Sequence, residues 1–139
     1  MTNRWELFPH SADMGVRGFG ATKEEAFSQA ALAMTAVICD LSRIHPTQEV
    51  DIVCSAEDDE LLFVDWLNAL IYEMDTRKML FCRFQVEIRG NRLIGKAWGE
   101  PVMAAEHQPG VEVKGATYTE LSVRPVPEKG WCAQCIVDV

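Results

Sequence analysis

The spacing of apolar residues predicts two amphipathic helices in the first half of the chain. Between residues 27 and 38 apolar side chains recur at helical spacing, behind a capping box formed by Thr22 and Glu25. We therefore predict a first helix over residues 23–39. The second apolar stripe consists of Leu62, Trp66, Leu70 and Met74. It follows a run of acidic residues that suits a helix amino terminus, so it predicts a second helix over residues 58–77.

The remaining apolar pattern has a period of two, which is typical of strands. The predicted strands cover residues 4–10, 14–20, 49–55, 81–89, 92–98, 111–123 and 131–139. Pro9 places the first strand at a sheet edge, Gly90-Asn91 predicts a hairpin turn, and residues 101–110 are expected to be a loop. No βαβ crossover repeats in this order. We therefore predict an α+β fold, with one domain over residues 1–139 and two amphipathic helices on one side of a largely antiparallel sheet.

Composition limits the partners of such a domain. The chain has 139 residues and a formal net charge of −8. Because proteins hold nucleic acids mainly through Lys and Arg, this balance argues against direct binding of RNA or DNA. A basic partner protein or a cation is the better expectation.

The sequence also predicts a cellular compartment. No apolar run reaches the length of a membrane span, so no membrane partner is expected, and the first residues lack the apolar core of a secretion signal. The five cysteines are an odd number and lie mostly in apolar surroundings. These features favour reduced thiols in a cytoplasmic protein.

Two pairs of residues could bind a cation. His10 stands three residues before Asp13 in a predicted turn, where both could share a site or where His10 could simply bind a turn carbonyl. Asp138 precedes Val139, so a side-chain carboxylate and the α-carboxylate are neighbours there. Such oxygens either share Mg²⁺ or Ca²⁺ or remain solvated.

Other polar residues carry weaker signals. Lys114 lies among carboxylates in a predicted apolar strand, where it either faces solvent or acts beside a metal site. Cys132 and Cys135 have the spacing of a zinc half-site, but the sequence offers no second pair, so we predict that they pack in the core. His45 and His107 fall in predicted loops and are expected to be solvated.

Taken in order, several segments resemble the archease family. They are His10 to Gly20, the capped helix with Glu25-Ala26-Phe27, Trp66 to Leu70, Gly99-Glu100, Glu112 to Tyr118, and the final Val137-Asp138-Val139. The resemblance covers nearly the whole chain. This sequence has Thr119 where the family often has His, and Gly115 where Ala is common; neither position is an implied cation ligand.

The resemblance implies a protein cofactor and not an enzyme. Archeases assist the RNA ligase that joins a 2′,3′-cyclic phosphate or 3′-phosphate end to a 5′-hydroxyl in tRNA splicing and RNA repair. They promote guanylylation of the ligase, which uses GTP, and restore its multiple turnover. By resemblance, Asp13, Asp138 and Val139 hold a divalent cation (Ca²⁺ or Mg²⁺), Lys114 matches the functional lysine, and His10 lies beside the metal aspartate. RNA would be reached only through the ligase.

Two other classes of function remain open at this stage. The same carboxylates could serve a stand-alone metal-dependent phosphoester hydrolase, although the sequence shows neither a spaced two-metal ligand set nor a general base. Alternatively, the chain could be a chaperone-like binding module whose acidic surface serves only solubility.

Overall fold

The computed structural model describes residues 3–127 and 130–139 of the protein. Its strands are β1 (Arg4–His10), β2 (Asp13–Gly20), β3 (Gln48–Ser55), β4 (Met79–Arg89), β5 (Arg92–Pro101), β6 (Gly115–Ala116), β7 (Ser122–Val126) and β8 (Gly130–Asp138). Its helices are α1 (Lys23–Ile38), α2 (Asp59–Arg77) and the four-residue α3 (Ala104–His107), with a 3₁₀ turn at Leu41–Arg43. The α+β class is confirmed.

The two long helices begin where the sequence predicts. The Thr22 hydroxyl accepts a hydrogen bond from the Glu25 amide, and the Glu25 carboxylate accepts one from the Thr22 amide. These two bonds form the capping box of α1. Asp58 caps α2 by accepting the Leu61 amide at 2.8 Å. These caps satisfy amide groups that the helices themselves leave without partners, so the helix boundaries are defined locally.

The strands divide into two antiparallel sheets, whereas the sequence predicted a single one. In the first sheet β1 pairs with β2 and β2 with β8, and the other edge of β8 pairs with both β6 and β7. The second sheet has the order β3-β5-β4. Helix α1 packs against both sheets. An alternating pattern identifies the buried face of a strand but not its neighbours, which is why the division was missed.

The core lies where α1 and α2 meet the sheets. Trp66 is fully buried, and its Nε1–H donates to the Phe27 carbonyl at 3.1 Å, so the indole polar group is satisfied inside the core. The rings of Phe27 and Phe63 lie 5.1 Å apart. Gly18 lies directly beneath α1, where an added Cβ would collide with the backbone of Ala26. The helix therefore approaches β2 closely.

The predicted strand over residues 111–123 is wrong. Of residues 111–126, only Gly115–Ala116 and Ser122–Val126 form strands that pair with β8, and the pairing is irregular between them. The Thr117 amide and hydroxyl both donate to the Ile136 carbonyl, at 3.0 and 2.8 Å, while the Ile136 amide donates to Thr119. Thr117 and Thr119 therefore both bond to Ile136, so two positions of this segment share one residue of β8. The alternating apolar pattern is continuous here, but the strand pairing is not.

The predicted loop over residues 101–110 contains the short helix α3. Among the helices that the structure describes, none has both the length and the apolarity that a membrane span requires.

Candidate functional site

The turn between β1 and β2 brings His10 and Asp13 together. They are the last paired residues of the hairpin, and Ser11 between them adopts a left-handed conformation with φ of 52°. Within the described part of the chain, the His10 ring makes no hydrogen bond. The turn-carbonyl interpretation of His10 is therefore not what this structure shows. The ring remains available beside the Asp13 carboxylate.

The end of β8 meets Asp13 through the register of β2 and β8. Met14 pairs with Val137, so Asp13 and Asp138 occupy the next position on the two antiparallel strands. Residues that lie directly opposite each other on paired antiparallel strands have their side chains on the same face of the sheet, with Cβ atoms about 5 Å apart. The Val139 amide donates to Asp13 Oδ1 at 3.3 Å. Residues from opposite ends of the sequence thus form one site.

Lys114 reaches the same end of the sheet from a third segment. Its backbone amide donates to the Asp138 carbonyl at 2.8 Å, and its side chain is exposed. Exposure of Lys114 is compatible with both interpretations of this residue, and its expected strand is replaced by an irregular segment leading into β6. We call the group His10, Asp13, Lys114, Asp138 and Val139 the carboxylate tip.

Asn68 of α2 fixes β6, a role that was not predicted from the sequence. Its Oδ1 accepts the Ala116 amide at 2.9 Å, and its Nδ2 donates to the Ala116 carbonyl at 3.4 Å. The side-chain amide of Asn68 thus satisfies the backbone groups of Ala116 that a further strand would otherwise pair with at the edge of β6. The sequence could have indicated this role, because a polar residue within an apolar stripe of a helix needs a hydrogen-bond partner when it is buried.

The donor set of the carboxylate tip suits a hard cation in chemical type. Asp13 and Asp138 supply two carboxylates and Val139 adds main-chain oxygen, which are the ligands that Mg²⁺ and Ca²⁺ prefer. Among the described residues, however, no group of three or more His, Cys, Asp or Glu side chains is placed to hold a metal. A cation at the carboxylate tip would therefore need water or partner oxygens to complete its ligands.

A second polar cluster surrounds Glu100. Its Oε2 lies 2.9 Å from His107 Nε2, 2.7 Å from the His45 amide and 3.0 Å from His45 Nδ1. His107 Nδ1 accepts the Met103 amide at 2.9 Å, so the neutral ring carries its proton on Nε2 and donates to the carboxylate. The hydrogen bonds from His107 and then from the His45 amide lower the pKa of Glu100 to about 2.

The position of His107 corrects the sequence prediction. The residue was expected to be solvated but is only 1% exposed. A short helix ending at His107 buries the ring, and both ring nitrogens find partners there. His45 is exposed, as expected.

The cysteine pair belongs to the core, in agreement with the packing interpretation. Cys132 and Cys135 are both buried and free. Burial raises the pKa of the Cys135 thiol to about 12 and also raises the pKa of Cys132. Because a thiolate is the species that binds zinc or exchanges disulfides, neither side chain is suited to that chemistry at neutral pH.

The chain matches a known protein family over almost its full length. Residues 5–139 match the model of the Archease protein family (MTH1598/TM1083). Protein archease of Pyrococcus furiosus is 38% identical over 140 residues, which cover 98% of this chain and 99% of that protein. Protein archease of Methanosarcina mazei is 35% identical over 141 residues, with coverages of 98% and 96%.

Solved structures show the same fold. The solution structure of protein 1598 of Methanobacterium thermoautotrophicum is 30% identical and superposes with a TM-score of 0.83, covering 97% of this chain and 98% of that one. The crystal structure of TM1083 of Thermotoga maritima, described as an archease and possible chaperone, is 21% identical with a TM-score of 0.60 and 96% coverage of both chains. At that identity the second likeness concerns the fold alone.

Proposed function

The chain belongs to the archease family, and from that premise we propose that it is a metal-binding protein cofactor of an RNA ligase. The ligase would join 2′,3′-cyclic phosphate or 3′-phosphate ends to 5′-hydroxyl ends, in cytoplasmic tRNA splicing or RNA repair. The protein would promote guanylylation of the ligase by GTP and sustain multiple turnover, without catalysing ligation itself.

One observation carries the proposal. The Val139 amide donates to Asp13 Oδ1 at 3.3 Å, which joins two of the three residues that the family resemblance implies as cation ligands; the third, Asp138, directly precedes Val139. Asp13 and Asp138 are the side chains that would hold the ion, with oxygen from Val139. A bound divalent cation would supply concentrated positive charge at an otherwise negative surface.

The other residues of the carboxylate tip fit a docking surface. Lys114 is exposed, and its backbone amide is bonded to the Asp138 carbonyl, so a partner that docks at the carboxylate tip could reach its ammonium group. The His10 ring is free to meet a partner within the described structure. The net charge of −8 would speed the encounter with a basic ligase surface, and this attraction weakens as salt rises. RNA would be contacted by the ligase.

The first experiment measures cation binding by titration calorimetry with CaCl₂ and with MgCl₂. Asp13→Asn and Asp138→Asn keep the side-chain size but remove the charge, so each should abolish measurable binding. Glu57→Gln is the matched control, because Glu57 is an exposed carboxylate before α2 and outside the carboxylate tip. Cation binding that survives in both aspartate variants would contradict the proposed site.

The second experiment measures ligase guanylylation with GTP and the number of turnovers on an RNA with 3′-phosphate and 5′-hydroxyl ends. Wild type and Glu57→Gln should stimulate both, and the two aspartate variants should not. If folded aspartate variants stimulate as wild type does, the metal-dependent role of the carboxylate tip is wrong. Hydrolysis of phosphoesters by the protein alone, lost in Asp13→Asn, would instead identify a hydrolase.

A further inference from the structure

A groove of about 370 Å³ is lined in part by the residues that immediately precede Lys114 of the carboxylate tip. Its floor is formed by the carboxyl-terminal half of α2 and the start of β4, and one wall is the segment 109–113. The apolar lining includes Ile71, Met74 and Val113. This volume falls in the range of sites that accept a small molecule or a large side chain.

Exposed apolar side chains are concentrated around this groove. Val102 and Val111 line it and are 39% and 48% exposed, and Met103 follows Val102 with 52% exposure. Val53, which is 58% exposed, lies on β3 and does not line the groove. Single exposed apolar residues are ordinary, but several around one concavity indicate a binding surface.

The polar rim of the groove carries more negative than positive charge. Asp75 and Glu112 contribute two carboxylates and Lys78 one ammonium group. Within residues 3–127 and 130–139, none of these three takes part in an ion pair. The rim is therefore complementary to an apolar group flanked by Lys or Arg.

The groove and the carboxylate tip are linked by one segment of the chain. Glu112 and Val113 form part of its wall, and the next residue, Lys114, is bound through its amide to the Asp138 carbonyl. A protein that docks at the carboxylate tip would meet the groove along the same segment.

Hydrogen bonds hold the groove wall in place. The Gly110 amide donates to the Ile38 carbonyl at 2.7 Å, and the Val102 amide donates to the Lys78 carbonyl at 2.8 Å. Between these two points the segment is held by the bond between His107 and Glu100. A wall fixed in this way loses little conformational entropy on binding.

We propose that this groove binds an apolar side chain, flanked by Lys or Arg, on the surface of the RNA ligase. The inference rests on the proposed function, because it takes its occupant from the protein that docks at the carboxylate tip. The groove supplies affinity, while the carboxylate tip supplies activation.

The test compares exposed valines that differ in position. Val102→Ser and Val111→Ser remove apolar surface from the groove, and Val53→Ser makes the same change on β3. Ligase affinity is measured by calorimetry, and stimulation of guanylylation is measured at saturating protein. The Val102→Ser/Val111→Ser double variant should raise the Kd by about tenfold and retain full stimulation at saturation. Val53→Ser should leave both unchanged.

Each outcome decides one claim. If wild type binds and stimulates the ligase and the groove variants do so with unchanged Kd, the groove inference is overturned while the proposed function stands. If Asp13→Asn stimulates fully but the groove variants bind weakly, the carboxylate tip is wrong and the groove stands. Absence of ligase binding by wild type overturns both. If the groove variants self-associate less than wild type in sedimentation experiments but bind the ligase with unchanged Kd, the groove would be assigned to a second copy of the chain.

Discussion

Replacing Asn68 with Ala tests how the carboxylate tip is attached to the helical layer. Asn68 of α2 makes two hydrogen bonds to the backbone of Ala116 in β6, and β6 in turn pairs with Asp138. Removing the amide leaves both polar groups of Ala116 without these partners. We therefore expect a loss of global stability and a larger local opening of β6.

The magnitude follows from three contributions. The 2.9 Å bond from the Ala116 amide should contribute about 1 kcal/mol, and the longer 3.4 Å bond to its carbonyl about half as much. Ala is the better helix former by about 0.6 kcal/mol, which offsets part of this loss. The net destabilisation should be about 1 kcal/mol, or about 3 °C in Tm for a chain of this size.

The assay combines urea denaturation, followed by tryptophan fluorescence, with hydrogen exchange at the Ala116 amide. Thr76→Ala is the matched control, because Thr76 lies on the same helix and its hydroxyl bonds only within α2, to the Tyr72 carbonyl. It gains the same helix propensity without losing a contact to β6. Equal stability of Asn68→Ala and Thr76→Ala, with unchanged protection of the Ala116 amide, would refute the reasoning.

Two further predictions concern the packing of α1 and the Glu100 cluster. Gly18→Ala should lower the free energy of unfolding in urea by about 2–3 kcal/mol, because the new Cβ would collide with the Ala26 carbonyl. In the control, Gly110→Ala, the new Cβ would lie 3.7 Å from its nearest neighbour, so the free energy of unfolding should hardly change. The lowered pKa of Glu100 stabilises the fold fully above its ordinary value of 4.5, and this contribution should be lost as pH falls toward about 2. Urea midpoints measured between those pH values should therefore fall more steeply for wild type than for Glu100→Gln. Parallel curves would show that the hydrogen bonds from His107 and the His45 amide do not stabilise the ionised carboxylate.

The local elements of the fold could be predicted because their causes are local. Thr22 and Asp58 cap their helices through residues three positions away, and the apolar stripe around Trp66 has a helical period. The hairpin at Gly90-Asn91 depends on two residues, and Gly90 adopts the positive φ of 61° that such a turn requires. The assignment of strands to two sheets depends on long-range pairing, which periodicity does not encode.

Part of the geometry of the carboxylate tip was predictable for the same reason. His10 and Asp13 are brought together by a two-residue turn, so spacing alone was informative. The burial of His107 depends on Glu100 and on the short helix α3, and neither has a periodic signal. The bulge after β6 was missed because the Thr117 hydroxyl accepts the Thr119 amide at 3.2 Å, which diverts that amide from strand pairing and leaves no trace in the apolar alternation.

The geometry of the carboxylate tip depends on the whole fold and not on any single segment. Asp13 follows the first hairpin, Asp138 ends the last strand, and Lys114 enters from a segment that Asn68 of α2 holds in place. A one-residue slip between β2 and β8 would turn Asp138 to the opposite face from Asp13. Both faces of β8 are covered, so burial alone does not select one register. Arg17 Nε donates at 2.8 Å to Oε1 of Gln134, its partner across the two strands, and the slip would break this hydrogen bond. The Arg17–Gln134 pair therefore contributes to the candidate cation site indirectly, by favouring the register that aligns its two carboxylates.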